Sequence, residues 1–142
     1  MVALRAGRER RIGAVMADAA ANDDLVRRFI GAWERRDTAF IIDCFADDGV
    51  YHATPLDPIV GKAAIRDFVA SFEGNPAGRL KIRNQVASAT VVLQERTDHL
   101  TMNGNPVVLP IMGTFEMTPD GRIAAWREYF DLGPVREAYS AD

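Results

Sequence analysis

The second half of the chain decides the fold. Residues 80–131 read LKIRNQVASATVVLQERTDHLTMNGNPVVLPIMGTFEMTPDGRIAAWREYFD. Runs rich in Val, Ile, Thr and aromatic residues indicate four strands, at 80–86, 89–102, 107–117 and 123–131. Asn103-Gly104 is a strong hairpin signal, and Pro119-Asp120-Gly121 marks a second turn. Consecutive strands joined by tight turns predict an antiparallel arrangement.

Helical periodicity dominates the first half. Asn22 or Asp23 can cap a helix in which apolar residues recur at three- and four-residue steps, namely Leu25, Phe29, Ile30 and Trp33. A short helix over 40–45 closes at the turn 47–49, a strand spans 50–54, and a third helix spans 62–72 after a proline-interrupted loop. Helices followed by strands predict an α+β fold, with a curved sheet wrapped around the N-terminal helices as a cone that encloses a deep pocket.

Composition sets further bounds on the protein. A length of 142 residues suits one domain, predicted over 22–142, preceded by a flexible arginine-rich arm over 1–21. The net charge of −3 argues against a nucleic-acid partner. No apolar run is long enough for a membrane helix. Cys44 is the single cysteine, expected to be a buried core thiol, and we expect a cytoplasmic protein.

Three charged residues are candidates for acid–base chemistry. Arg96 and Asp98 are two residues apart on a predicted strand, so both side chains leave the same face, whose other members Val92 and Leu100 are apolar. Asp131 ends the last predicted strand. An arginine between two carboxylates could hold one ionised and leave the other able to keep a proton. Spacing alone favours an ordinary cross-strand surface ion pair, with Asp131 capping the chain's exit from the sheet, because structural ion pairs are commoner than catalytic ones.

The details of this half resemble the limonene-1,2-epoxide hydrolase family, within the nuclear-transport-factor-2-like (SnoaL-like) superfamily. The resemblance rests on Glu95-Arg96-Thr97-Asp98, Gly113-Thr114-Phe115, Gly121-Arg122-Ile123 and the run from Trp126 to Leu132, with Tyr51, Pro55-Leu56 and Gly61 upstream. It covers most of residues 22–139. It implies a curved mixed sheet with helices over a deep pocket, usually a homodimer, and neither a metal nor an organic cofactor.

The resemblance also implies a reaction. An Asp-Arg-Asp trio would open a small apolar epoxide in one step to a vicinal diol, with Asp131 as the base that takes a proton from water, Asp98 as the acid and Arg96 as the bridge. Tyr51 matches the tyrosine that helps to hold the water. The family's further water ligand, an asparagine, is replaced by Ala53. Asn84 on a neighbouring strand is one possible substitute.

Two other functions stay open at this point. One is a proton-shuttling isomerase or cyclase of the same superfamily, and the other is a non-catalytic dimeric module that binds a small molecule. Candidate pocket-lining residues are Leu100, Leu109 and Ile111, although core packing predicts the same residue types. His52 and His99 lack the partners of a metal site and are expected at a surface or interface.

Overall fold

The computed structural model describes residues 2–140, as four helices and one six-stranded sheet. The helices are α1 (Val2–Arg35), α2 (Thr38–Asp43), α3 (Lys62–Ala70) and α4 (Gly133–Ser140). The strands are β1 (Phe45–Ala53), β2 (Ile59–Val60), β3 (Arg79–Ala87), β4 (Val91–Met102), β5 (Asn105–Met117) and β6 (Ile123–Tyr129). The α+β class is therefore confirmed.

The sheet is curved and mixed, with strand order β2-β1-β6-β5-β4-β3. Only the β1–β6 pair is parallel among the strands described, and the long β3–β4–β5–β6 meander is antiparallel. Asn103 and Gly104 both have positive φ, 50° and 74°, as the β4–β5 hairpin requires, so this hairpin prediction is confirmed. The predicted turn before β6 is also present, with Gly121 at φ 79°.

The core lies between one face of the sheet and helices α1, α2 and α3. Phe29 of α1 is fully buried and makes edge-to-face contacts with Phe45, Phe115 and Trp126. Such aromatic pairs add to the stabilisation from buried area. Cys44 is buried in this core, where desolvation raises the pKa of its thiol to about 11, in agreement with the predicted core role.

Two boundaries in the first half differ from the prediction. Helix α1 does not begin at Asn22; it continues back to Val2, and residues 5–14 are almost all exposed. Neither Asn22 nor Asp23 is a cap, because both lie inside this helix. Asn22 is buried, and its side-chain amide donates to the carbonyl of Ser88 at 3.0 Å. The predicted turn at 47–49 lies inside β1, where the pairing with β6 shifts register between Phe45 and Val50. None of the helices between residues 2 and 140 has the length and apolar character of a membrane span.

Candidate active site

Arg96 and Asp98 lie on the inner face of β4, as strand alternation predicts. They are 2% and 4% exposed, and they stand opposite Ile111 and Leu109 of β5. The Arg96 Nε donates to Asp98 Oδ1 at 2.8 Å, and Nη2 donates to Asp98 Oδ2 at 3.0 Å. This bidentate salt bridge fixes the plane of the guanidinium, because two parallel N–H groups of Arg96 face the two carboxylate oxygens of Asp98. The pair is buried, unlike the surface ion pair that spacing alone allowed.

The second carboxylate at Arg96 belongs to Glu128 of β6. Arg96 Nη2 donates to Glu128 Oε2, and the Tyr51 hydroxyl donates to Glu128 Oε1 at 2.8 Å. Glu128 is 4% exposed and shares the inner face of β6 with Trp126. The indole of Trp126 also lies beside Arg96, whose guanidinium carbon is 5.7 Å from the ring centroid. The structure thus brings together Tyr51, Arg96, Asp98 and Glu128.

Asp131 lies outside this group, so its predicted placement is wrong. Strand β6 ends at Tyr129, and Asp131 belongs to the connection into α4. Its side chain is exposed, and its Oδ1 accepts the backbone N–H of Gly133 at 2.8 Å. That contact satisfies one of the free N–H groups at the start of α4. Of the two predicted alternatives for Asp131, the structure therefore shows the cap.

Sequence reasoning missed Glu128, although the residue lies inside the motif that it used. The alternation of side chains along the last strand could have identified Glu128. Trp126, Glu128 and Phe130 lie on one face of that strand, and Trp126 and Phe130 are large apolar residues. A carboxylate on an apolar strand face needs a partner, and Arg96 is the partner that the sheet supplies.

Burial and neighbouring charges have opposite effects on the pKa values of Glu128 and Arg96, and at Tyr51 they act in the same direction. Desolvation raises the pKa of the Glu128 carboxyl above its usual value, and the positive charge of Arg96 offsets only part of that effect. Burial also raises the pKa of Tyr51 well above its usual value, reinforced by the neighbouring Glu128 charge. For Arg96, burial alone would lower the pKa, but the charges of Glu128 and Asp98 outweigh it and keep the guanidinium protonated.

An apolar cavity of about 310 Å³ opens onto these four side chains. Its volume lies at the small end of the range for small-molecule sites. The predicted pocket residues Leu100, Leu109 and Ile111 all lie in its wall, together with the aromatic side chains Trp33, Phe68, Phe72, Trp126 and Phe130. Val135 and Tyr139 of α4 complete the wall on another side. The cavity can therefore hold a small apolar molecule against a buried cluster of charge.

Ala53 lies beside Glu128, because the two residues are paired across the parallel β1–β6 ladder, and it too lines the cavity. Asn84 does not reach the cluster, so it does not substitute for the asparagine that Ala53 replaces. Its side chain is exposed and donates to Glu95 Oε2 at 2.7 Å.

His99 is exposed, and His52 Nε2 lies 3.0 Å from the Leu56 carbonyl oxygen. Within residues 2–140, His, Cys, Asp and Glu side chains form no cluster of three or more that could hold a metal ion.

Fold and site together define a class: a pocket-forming α+β protein whose curved sheet carries a buried arginine between two carboxylates. The model of the limonene-1,2-epoxide hydrolase catalytic domain matches residues 20–139, and the chain belongs to this family. Epoxide hydrolase EphG of Mycobacterium tuberculosis (strain ATCC 25618 / H37Rv) is 32% identical over 107 residues, which are 75% of this chain and 71% of EphG.

Solved structures support the same placement. An M. tuberculosis epoxide hydrolase of the limonene-1,2-epoxide hydrolase type superposes with a TM-score of 0.75 at 28% identity, covering 84% of this chain and 90% of that one. The epoxide hydrolase/cyclase-like enzyme SalBIII, associated with pyran ring formation in salinomycin, gives 0.72 at 18% identity, covering 80% and 92%. At that identity the second likeness concerns the fold alone.

Proposed function

We propose that this chain hydrolyses a small apolar epoxide to a vicinal diol by one-step attack of water, with Glu128, Arg96 and Asp98 as the acid–base group. Family membership supports epoxide hydrolysis in general. The observation that carries the mechanism is the placement of two carboxylates on one buried guanidinium at the wall of an apolar cavity. The trio is thus Asp-Arg-Glu instead of the expected Asp-Arg-Asp.

The charge of the cluster favours one bound proton. Arg96 carries one positive charge, and two ionised carboxylates would leave a net charge of −1 in a buried site, which is costly. A single proton shared between Asp98 and Glu128 makes the cluster neutral. One carboxyl group can then act as an acid while the other acts as a base.

Glu128 is the better candidate for the base. It accepts hydrogen bonds from both Arg96 and Tyr51, and these two donors stabilise its ionised form. The Tyr51 oxygen keeps free lone pairs, so a water molecule can donate one hydrogen to Tyr51 and the other to Glu128. Burial also makes the Glu128 carboxylate a stronger base than an exposed one, because it raises the pKa of this group.

Asp98 then serves as the acid. Water oxygen bonds to one epoxide carbon while the ring C–O bond breaks; Glu128 takes a proton from the water, and the Asp98 proton goes to the departing oxygen. The products are one diol, protonated Glu128 and ionised Asp98. A return of one proton through solvent restores the starting state. Arg96 holds both carboxylates in place throughout and stays charged.

A specific observation keeps the cyclase or isomerase alternative in view. The structure shows Ala53, a side chain without a polar group, beside Glu128 in the cavity wall. Water there has Tyr51 and Glu128 as ligands and Ala53 offers no third, so a hydroxyl of the substrate could take its place and close a ring. The purely binding alternative is less favoured, because burying three charges is costly and serves no purpose in an apolar binding pocket.

Product analysis in labelled water separates these functions. We expect purified protein to convert limonene oxide or cyclohexene oxide to a diol that carries one ¹⁸O atom from H₂¹⁸O. Under single-turnover conditions this label should appear in the diol at once, since no ester with the protein forms. A rearranged, unlabelled product from an epoxide or a steroid enone would favour the isomerase, and binding without turnover across the panel would favour the binding module.

We also propose that the chain forms a homodimer through the outer face of the sheet. Val108 and Met112 of β5 and Tyr129 of β6 are about half exposed there, and Met112 stands directly opposite Tyr129. Adjacent exposed apolar side chains of this kind mark association surfaces. Light scattering should report a dimer, and Met112→Arg should yield monomers. The matched control is Ile12→Arg on α1, where an apolar side chain of similar exposure lies outside the sheet.

A further inference from the structure

A row of hydrogen bonds runs from the surface of α1 to the guanidinium of the active site. At the outer end, Arg27 Nε donates to Asp23 Oδ2 at 2.9 Å. Gln85 Nε2 on β3 donates to the Asp23 carboxylate at 2.8 Å and to its backbone carbonyl at 3.0 Å. Gln94 Nε2 on β4 donates to Gln85 Oε1 at 2.6 Å. At the inner end, Arg96 Nη1 donates to Gln94 Oε1 at 3.3 Å.

The two ends of this row dictate its direction. Asp23 offers only acceptors, because its carboxylate and carbonyl oxygens have no hydrogen to give. Arg96 offers only donors. The two glutamine amides between them must therefore align head to tail, with every N–H directed towards Asp23 and every oxygen towards Arg96. Gln85 and Gln94 are also direct cross-strand partners, so the backbone register supports the contact.

Gln94 occupies the side of the guanidinium that the carboxylates leave open. Nε and Nη2 of Arg96 donate to Asp98 and Glu128, whereas Nη1 donates to Gln94. Gln94 is only 1% exposed, so loss of its oxygen would leave a buried Nη1 donor without that acceptor. A planar group held at three of its nitrogen atoms cannot rotate in its plane or tilt away from either carboxylate.

We infer that Gln94, supported by Gln85 and Asp23, is a positioning residue for the reaction: it fixes the orientation of Arg96 and thereby the geometry between Asp98 and Glu128. The inference rests on the proposed function for its kinetic part. It goes beyond that function because neither glutamine touches the cavity among its described lining residues, and the pair links the acid–base group to the outer helix α1.

The test variant is Gln94→Met, which keeps the length of the side chain and removes the hydrogen bonds. Loss of one hydrogen bond that orients Arg96 should lower kcat on an accepted epoxide about three- to tenfold. KM should change little, because Gln94 does not contact the apolar substrate site. A loosened Arg96 also stabilises ionised Glu128 less well, so the ascending limb of the kcat/KM profile should move to higher pH.

A second readout does not depend on activity. With ¹³C-labelled glutamate, the side-chain carboxyl of Glu128 should titrate at higher pH in Gln94→Met than in the wild-type protein. If the wild-type protein turns over no epoxide, the proposed function fails, yet this titration still decides whether Gln94 acts on the cluster. An unchanged Glu128 titration in Gln94→Met would overturn the inference.

Two further variants make the test specific. Gln85→Met combined with Gln94→Met should be no worse than Gln94→Met alone, since members of one row share a single effect; additive losses would contradict a continuous row. Asn22→Ala is the matched control, because Asn22 is a buried amide next to Asp23 that donates to the Ser88 carbonyl instead. Asn22→Ala should lower stability, and it should change neither the pH profile of kcat/KM nor the titration of Glu128. A shift of the same size in Asn22→Ala would refute a specific role for Gln94.

Discussion

Glu128→Gln should separate catalysis from stability. Glutamine has the shape of glutamate and can keep both contacts: its oxygen accepts from Arg96 Nη2, and its amide N–H donates to Tyr51, whose hydroxyl then turns round. The base is gone, however. Removal of a general base costs about 10²- to 10⁴-fold in rate, so diol formation should fall by at least about a hundredfold.

The same substitution should not weaken the fold at neutral pH. It leaves Arg96 paired with Asp98 alone, so the buried cluster can stay neutral without the proton that the two carboxyl groups share in the wild-type protein. Glu128→Ala is the contrast, since it leaves a cavity and takes a partner from a buried arginine, and it should cost about 3 kcal/mol of unfolding free energy. Urea unfolding at pH 7 measures both variants. Glu128→Gln should be at least as stable as the wild-type protein.

The pH dependence of this stability difference has a defined sign. Because the pKa of Glu128 is higher in the folded than in the unfolded state, the unfolded chain loses its proton first as pH rises. Wild-type stability relative to Glu128→Gln should therefore fall through the interval between these two pKa values and then stay constant. Below that interval the difference should not depend on pH. Turnover of Glu128→Gln within tenfold of wild type would refute the base assignment, and destabilisation equal to that of Glu128→Ala would refute the charge argument.

Other substitutions test single features of the site. Asp131→Asn should retain wild-type turnover and lose at most about 1 kcal/mol of stability, because its side chain holds only the first turn of α4; a hundredfold loss of turnover would return Asp131 to the mechanism. Tyr51→Phe should lower kcat about three- to tenfold through loss of one ligand of the water, as single-turnover rates can show. Ala53→Asn should raise the rate on cyclohexene oxide relative to limonene oxide, because it adds a polar group and fills space beside Glu128; equal effects on both substrates would contradict this placement.

Most of the fold could be predicted from the sequence, because hydrophobic periodicity and the residue types that favour turns are local properties. The β4–β5 hairpin follows from Asn103-Gly104, and residues 62–70 are helical because their apolar side chains recur at helical spacing. The register irregularity in β1 was not predictable in this way. Asp47, Asp48 and Gly49 have the composition of a turn, yet they lie inside β1, at the point where its pairing with β6 shifts register.

One part of the site could be predicted from the local sequence pattern, and the other part depends on how the strands are arranged in the sheet. Arg96 and Asp98 could be paired from the sequence because two residues on one strand share a face. The third member lies on another strand, and its choice between Glu128 and Asp131 depends on where β6 ends, the least reliable feature of a sequence-based prediction. If β6 is assumed to end at residue 131 instead of Tyr129, an acidic residue stands at its end. That residue, Asp131, would however point to the face of the strand opposite to the face of Glu128. Parity with Trp126 is therefore the stronger criterion: the carboxylate that shares the buried face must be paired there, and the one beyond the strand is free to cap the next helix.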